Sequence, residues 1–112
     1  NSVSFSADSG RVLENAVFLG LKRRGKEVYY FKGKKECDFV VKEKNKITSA
    51  IQVCLELGEE NKEREIGGLV EALKTFGLRK GLILTEGQQD ELQVGGKVIS
   101  VMPAWSWSLE SG

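Results

Sequence analysis

The sequence contains no histidine, and this absence excludes two common kinds of functional site. Histidine is the usual zinc ligand and the usual general base near neutral pH. The sequence also has no apolar run long enough to span a bilayer, and its N-terminus lacks a signal-peptide pattern. It has only two cysteines, which without an export signal indicate free thiols in a reducing compartment. We therefore expect a cytoplasmic protein that does not contact membranes.

What the sequence does contain is enough apolar material for one packed domain. The chain has 112 residues, of which 40% are hydrophobic, so a single core is feasible and global disorder is not expected. It does not begin with methionine. We interpret residues 1–112 as one domain, cut from the C-terminal part of a longer chain.

Charge is balanced overall but not along the chain. The formal net charge is +1, while residues 1–50 carry 11 basic against 6 acidic side chains. The basic residues form three clusters, at 22–26, 32–35 and 42–46. Such clusters are commonly solvated helix ends and hairpin tips. If they converge on one side of the fold, they form a phosphate-facing patch instead.

Hydrophobic periodicity predicts an α/β domain with one mixed sheet flanked by helices, in the order α-β-β-β-α-β-β. The predicted elements are a helix at 9–24, strands at 27–33, 36–44 and 46–57, a helix at 61–77, and strands at 80–86 and 93–103. The first three strands should form an antiparallel meander, and the fourth should pair parallel to the third. Trp105 and Trp107 are predicted packing anchors.

Two of the predicted strands carry a polar residue in an otherwise apolar run, Asp38 in "ECDFVV" and Gln52 in "SAIQVCLEL". Strand alternation predicts that Asp38 shares a face with Val40, and that Gln52 lies beside it on the neighbouring strand. The first helix would bring Glu14 toward the same face. Three oxygen-bearing groups would then converge, as hard cations such as Mg²⁺ require.

The segments "GRVLENAVF" (10–18) and "ECDFVV" (36–41), followed by "IQVCLEL", resemble a family of domains C-terminal to the ATPase module of archaeal and bacterial AAA+ proteins. The resemblance covers about residues 10–103. It implies a restriction-endonuclease-like fold of the PD-(D/E)XK nuclease superfamily. Within it, Glu14 matches the helix carboxylate, Asp38 the strand carboxylate and Gln52 the Glu/Gln position.

The motif lysine of this superfamily falls on Cys54. A thiol near its reference pKa of about 8.5 is neutral and supplies no fixed positive charge, and sulfur does not suit Mg²⁺. Arg64 is the leading stand-in cation, with Lys35 and Lys42 as displaced alternatives. Glu14, Asp38, Gln52 and Arg64 are thus the candidate catalytic residues, and the first three are candidate ligands of a weak Mg²⁺ or Mn²⁺ site.

Each candidate also has a structural interpretation, which the sequence leaves open. Glu14 suits an ordinary helix surface, and Gln52 suits a core amide with satisfied hydrogen bonds. Asn61, Arg64 and Glu65 suit the cap and first turn of the second helix. A strand aspartate needs a partner, because burying an unpaired carboxylate costs several kcal/mol.

Two functional hypotheses follow from the resemblance. The first is an accessory or interaction domain with a degenerate metal site, attached to an N-terminal ATPase module and in contact with nucleic acid. The second is an active metal-dependent nuclease that cleaves phosphodiester bonds. The missing lysine favours the first. No cofactor is expected to be needed for folding, and self-association is left open.

The two cysteines are not expected to form a disulfide. If Asp38 and Gln52 share a face, alternation places Cys37 and Cys54 on opposite faces of the sheet. Their Cβ vectors would then diverge, which excludes disulfide geometry.

Overall fold

The computed structural model describes residues 7–110, so the ends of the predicted domain, 1–6 and 111–112, lie outside the described part. This range contains three helices and six strands. In chain order they are α1 (Ala7–Arg23), β1 (Glu27–Lys32), β2 (Glu36–Glu43), β3 (Lys46–Val53), α2 (Lys62–Thr75), β4 (Lys80–Thr85), β5 (Asp90–Val94), β6 (Lys97–Pro103) and α3 (Ala104–Glu110). None of the helices within this range is both long and apolar enough to cross a membrane.

The six strands form one mixed sheet in the order β1-β2-β3-β4-β6-β5. Strands β1, β2 and β3 pair antiparallel, and β4 pairs parallel to β3 and to β6. The predicted meander and the predicted parallel pairing after the helix crossover are both confirmed. The chain is therefore a mixed α/β domain.

The C-terminal third departs from the predicted element order. The predicted Gly-Gly turn in segment 93–103 is confirmed, because Gly95 and Gly96 adopt positive φ angles of 55° and 79°. The turn does not merely interrupt one strand, since it reverses the chain between two antiparallel strands, β5 and β6. The residues after β6 form a short helix, which was not predicted. Within it Trp107 is buried, as expected, but Trp105 is 65% exposed and is not a packing anchor.

The sheet separates two hydrophobic clusters. Leu69 and Leu73 of α2 pack with Ile83 and Val101 on one face. Helices α1 and α3 cover the other face, where the cluster consists of Val17, Leu21, Val41, Ile51, Val53, Leu84 and Trp107. Polar residues at the ends of β2 and β3 therefore lie between two well-packed layers.

Helix α2 approaches the start of β2 closely because it has a glycine there. A Cβ atom on Gly68 would collide with the carbonyl group of Glu36 and come within 2.9 Å of the Gln52 amide nitrogen. Gly68 is itself buried. The missing side chain lets the helix backbone lie against the strand edge that carries the candidate residues.

Candidate acidic site between α1 and α2

The Gln52 side chain is fully occupied by backbone partners. Its oxygen accepts the Asp38 N–H at 2.9 Å, and its amide nitrogen donates to the carbonyls of Glu36 at 2.9 Å and Glu65 at 2.8 Å. Only 2% of the residue is exposed. Gln52 thus fastens the start of β2 and the first turn of α2 to β3. Of the two interpretations of this residue, the geometry matches the satisfied core amide.

Asp38 lies across from Gln52 and completes the same connection from the other strand. The β2–β3 ladder ends at the pair Phe39–Ile51. Beyond it, the Asp38 carboxylate accepts the N–H of Val53 at 2.8 Å. Side-chain hydrogen bonds therefore replace ladder hydrogen bonds where the strands separate.

The predicted facing of β2 is wrong at Asp38. Val40 packs in the cluster under α2, whereas the Asp38 side chain lines a cavity of about 360 Å³ together with Glu14 and Phe18 of α1. Phe39 lines the same cavity, so two consecutive residues lie on the α1 side. Strict alternation requires a regular ladder, and the β1–β2 register shifts here so that Asp38 and Phe39 form a bulge in β2.

Glu14 and Asp38 come together in this cavity, and their proximity is electrostatically unfavourable. The pKa of Asp38 is raised to about 7. Burial is the main cause; the hydrogen bond from Val53 opposes it, and the nearby carboxylates of Glu14 and Glu65 add to it. No basic side chain offsets these effects. The described structure thus holds a half-buried carboxyl group that takes up a proton near neutral pH.

Glu65 belongs to the acidic site; the sequence favoured a first-turn position for it, and the resemblance implied that it could also face the site. It is largely buried, and burial raises its pKa, with a further contribution from Glu14. Arg64 opposes the shift through an ion pair of 3.2 Å with the Glu65 carboxylate. The sequence signal was available, because Glu65 lies four and seven residues before the buried Leu69 and Ala72, on the inner stripe of α2.

Tyr30 is a second residue that the sequence did not single out. The β1–β2 register shifts between Tyr29 and Phe31, so that Tyr30 lies opposite a bulge of β2 formed by Asp38 and Phe39. Its phenol is exposed, and its pKa is raised to about 12, first by a hydrogen bond with Glu36, and further by Asp38 and Glu14. The tyrosine hydroxyl thus stays protonated beside the carboxylates and can donate a hydrogen bond.

Cys54 lies beside the acidic groups as a neutral thiol. Burial raises its pKa to about 12, and the charges of Glu65 and Asp38 raise it further, while Arg64 acts in the opposite direction. A negative environment of this kind would favour an ammonium group at position 54. The same environment disfavours ionisation of a thiol.

Both cysteines are free, which confirms the prediction of no disulfide, although the predicted reason is wrong. Cys37 belongs to the cluster beneath α2, and Cys54 packs against the same cluster. They therefore do not lie on opposite faces. Cys37 instead points its Sγ at the Ile51 carbonyl, 3.4 Å away.

The stand-in cations are distributed unevenly around the site. Arg64 reaches it through Glu65 but is 70% exposed at its side chain. Lys35 lies along α2 at Gly67, where the neighbouring Glu71 carboxylate binds its N–H. Lys42 lies beside the ring of Tyr29. Of these three, only Arg64 contacts an acidic residue of the site.

The residues present do not fit an ordinary Mg²⁺ site. Within residues 7–110, no three histidine, cysteine, aspartate or glutamate side chains are arranged to hold a metal ion. The Gln52 oxygen already accepts a backbone hydrogen bond, and the Cys54 thiol is too soft a ligand for this cation. Glu65 is paired with Arg64, so Glu14 and Asp38 remain as a pair of carboxylates, which is fewer than hard cations usually require.

The fold and the acidic pair define a mixed α/β domain with carboxylates between its first helix and its sheet, and comparison with known proteins adds a family. Residues 9–107 match the family model described as a domain of unknown function, DUF4143, and the chain belongs to this family. It is similar to the uncharacterized protein MJ1544 of Methanocaldococcus jannaschii, with 41% identity over 119 aligned residues. That alignment covers 96% of this chain and 26% of the relative, so the chain spans about a quarter of the relative's length. No solved structure shows significant similarity to it.

Proposed function

We propose that this chain is a nuclease-fold domain whose metal site has degenerated, and that it acts as a cytoplasmic accessory or interaction module of a longer ATPase. One observation carries the proposal. The position of the motif lysine holds Cys54, a neutral thiol that lies among the charges of Asp38 and Glu65. The group that would balance these charges in an active nuclease is missing.

The fold supports a relationship to restriction-endonuclease-like nucleases. Helix α1 precedes an antiparallel meander, and the crossover helix α2 leads to a strand parallel to β3. The carboxylates of Glu14 and Asp38 meet at the α1 side of this meander, which agrees with the resemblance of their sequence segments. The greater length of the archaeal relative supports a domain that works beside other modules, with an N-terminal ATPase module as the proposed partner.

The chemistry argues against efficient phosphodiester cleavage by this domain. Such cleavage needs charge stabilisation around the transition state, and one preorganised donor is typically worth about 10²–10³ in rate. Cys54 supplies no positive charge. A metal held weakly by Glu14 and Asp38 would also activate water poorly. A weak Mg²⁺ or Mn²⁺ site is therefore the most that we propose.

A cleavage assay tests this function. The purified chain is incubated with plasmid and single-stranded substrates in Mg²⁺ and in Mn²⁺, beside Cys54→Lys and Asp38→Ala. We expect no cleavage by the wild type above the Asp38→Ala background. A gain in Cys54→Lys would support the degenerate-site proposal, because it would show that a cation was lacking. Robust wild-type cleavage that Asp38→Ala abolishes would refute it.

The alternative function is an active nuclease in which Arg64 replaces the lysine. The observation in its favour is the 3.2 Å ion pair between Arg64 and Glu65, which brings a guanidinium to the acidic site. If the assay shows wild-type cleavage, Arg64→Met should abolish it. The matched control is Arg79→Met, which changes an exposed arginine between α2 and β4 and should leave cleavage intact.

A further inference from the structure

Two of the three basic clusters of the sequence converge in space. Lys22 and Lys26, at the end of α1 and the turn after it, line one shallow cavity with Lys42 and Lys44 of the β2–β3 hairpin. Its volume is about 470 Å³. The third cluster, 32–35, lies on the β1–β2 hairpin, where it contacts Glu71 of α2. We call the converged surface, formed by residues 22–26 and 42–46, the basic edge.

The basic edge keeps a positive excess after its internal contacts are counted. Segments 22–27 and 42–46 contain seven basic and two acidic side chains. One acid, Glu43, pairs with Lys26 at 3.1 Å. The other, Glu27, accepts the hydroxyl of Tyr29 at 2.7 Å. Both acidic groups thus have partners, and most of the basic side chains face solvent.

The backbone holds these charges in place. Lys44 and Asn45 both have positive φ angles, 52° and 68°, which is the geometry of a tight type I′ hairpin turn. Arg24 is fixed at the other side of the cavity, because its guanidinium lies 3.9 Å from the ring centroid of Trp107. The surface is therefore a preorganised set of cations rather than a flexible basic tail.

An exposed aromatic ring lies next to this surface. Tyr29, on the edge strand β1, is 45% exposed. The Lys42 ammonium lies 6.0 Å from its ring centroid, and the hydrogen bond to Glu27 fixes its hydroxyl. Basic groups beside an exposed, oriented ring are the elements with which proteins bind single-stranded nucleic acids, because the cations contact phosphates and bases stack on the ring.

We propose that the basic edge binds the phosphate backbone of single-stranded nucleic acid, with one base stacked on Tyr29. The proposal names the partner class of the accessory domain and rests on that proposed role. Its cations lie outside the acidic site, whereas Tyr29 also lines the cavity that holds Glu14 and Asp38. An anionic membrane surface is the competing partner. Against it, the exposed apolar residues Leu19 and Trp105 line a groove between α1 and α3 that adjoins the basic edge at Arg23 and Arg24 but includes none of residues 42–46. A membrane-binding surface would need its apolar groups among the lysines.

Fluorescence anisotropy with a labelled oligothymidylate and an oligouridylate of about 20 nucleotides tests the proposal at several salt concentrations. We expect wild-type binding at low salt, and a loss on the order of tenfold in Lys42→Gln/Lys44→Gln. Two lost phosphate contacts should also reduce the slope of log K against log salt by about 1.4. Tyr29→Ala should weaken binding about fivefold or more, and Tyr29→Phe should retain it.

The matched control is Lys62→Gln/Lys74→Gln, which removes the same charge from the exposed surface of α2. It should bind like the wild type. An equal loss in this control would overturn the proposal, since net charge alone would then explain binding. Absence of wild-type binding at low salt would also overturn it, as would binding only to vesicles containing phosphatidylserine. These results leave the cleavage assay unaffected, so the two proposals can fail separately.

Discussion

The Gln52 amide lies beneath α2 and has three backbone partners, whereas the Asp38 carboxylate across from it has one backbone donor and faces Glu14. Both are polar residues in apolar strands, and both join β2 to β3. The Gln52 amide and its three backbone partners satisfy one another's hydrogen-bonding groups. Asp38 carries a charge that burial and neighbouring carboxylates disfavour. Folding explains a buried polar residue whose hydrogen bonds are complete. A buried residue held in an unfavourable charge state indicates an inherited or present function.

We expect replacement of Gln52 to have the largest effect on stability. Gln52→Leu would remove the acceptor of the Asp38 N–H and a donor to the carbonyls of Glu36 and Glu65 in a buried region. We expect the free energy of unfolding to fall by about 3–5 kcal/mol, measured by urea denaturation. The control Gln93→Leu lies on the exposed edge strand β5 and should change it by less than about 0.5 kcal/mol. Equal effects would show that Gln52 does not connect these segments.

We expect the next largest loss of stability where the backbone of α2 lies close to the start of β2. Gly68→Ala places a methyl group against the Glu36 carbonyl, so the helix must shift away from Gln52. We expect a loss of about 1–3 kcal/mol in unfolding free energy. Gly10→Ala is the control, because a Cβ there meets no heavy atom within 4 Å, and it should stabilise α1 by about 0.5–1 kcal/mol. A neutral Gly68→Ala would mean that the contact is looser than described.

At Asp38 we expect a smaller effect on stability, and one that depends on pH. Its pKa is raised in the folded chain from 3.8 to about 7, so between these values the native state binds more protons than the unfolded state. Stability should therefore fall as pH rises from about 4 to about 7. Asp38→Asn keeps an acceptor for Val53 and carries no charge. It should flatten this decline and be more stable than the wild type above pH 7, by on the order of 1–3 kcal/mol.

Glu14→Gln tests the cause of the raised Asp38 pKa. Removing the Glu14 charge should lower the pKa of Asp38, and the decline in stability should then end at a lower pH than in the wild type. The measurement is a series of thermal or urea denaturations across the pH range. A wild-type stability that rises between pH 4 and pH 7 relative to Asp38→Asn would contradict the electrostatic description of the site.

The sequence predicted the features that depend on regular local patterns. Apolar periodicity located α1 and α2, and short connections predicted the antiparallel meander, because these signals are set by neighbouring residues. It did not predict that Asp38 faces α1, since alternation applies only to a regular ladder, and β2 has a bulge at Asp38 and Phe39 in its pairing with β1. It also predicted β3 to extend to residue 57, whereas the strand ends at Val53, where the side-chain hydrogen bonds take over.

The composition of the acidic site was harder to predict than the fold. Glu14 and Asp38 were proposed from the strand and helix patterns and matched by the family resemblance, and the structure places them at one cavity. Glu65 lies on the inner stripe of α2, but its first-turn position gave an equally good surface interpretation. Tyr30 lies opposite the β2 bulge in the β1–β2 pairing, and a bulge in a strand without glycine has no distinct sequence signal.

Manganese binding tests the central claim most directly, because it reports on the site without requiring turnover. Mn²⁺ is titrated into the wild type, Asp38→Ala and Cys54→Lys at pH 8, and free Mn²⁺ is followed by electron paramagnetic resonance. With Glu14 and Asp38 as the remaining carboxylate pair and Gln52 held by the backbone, we predict only weak, millimolar binding by the wild type, which Asp38→Ala removes. Micromolar binding by the wild type that depends on Asp38 would contradict the account of a degenerate site.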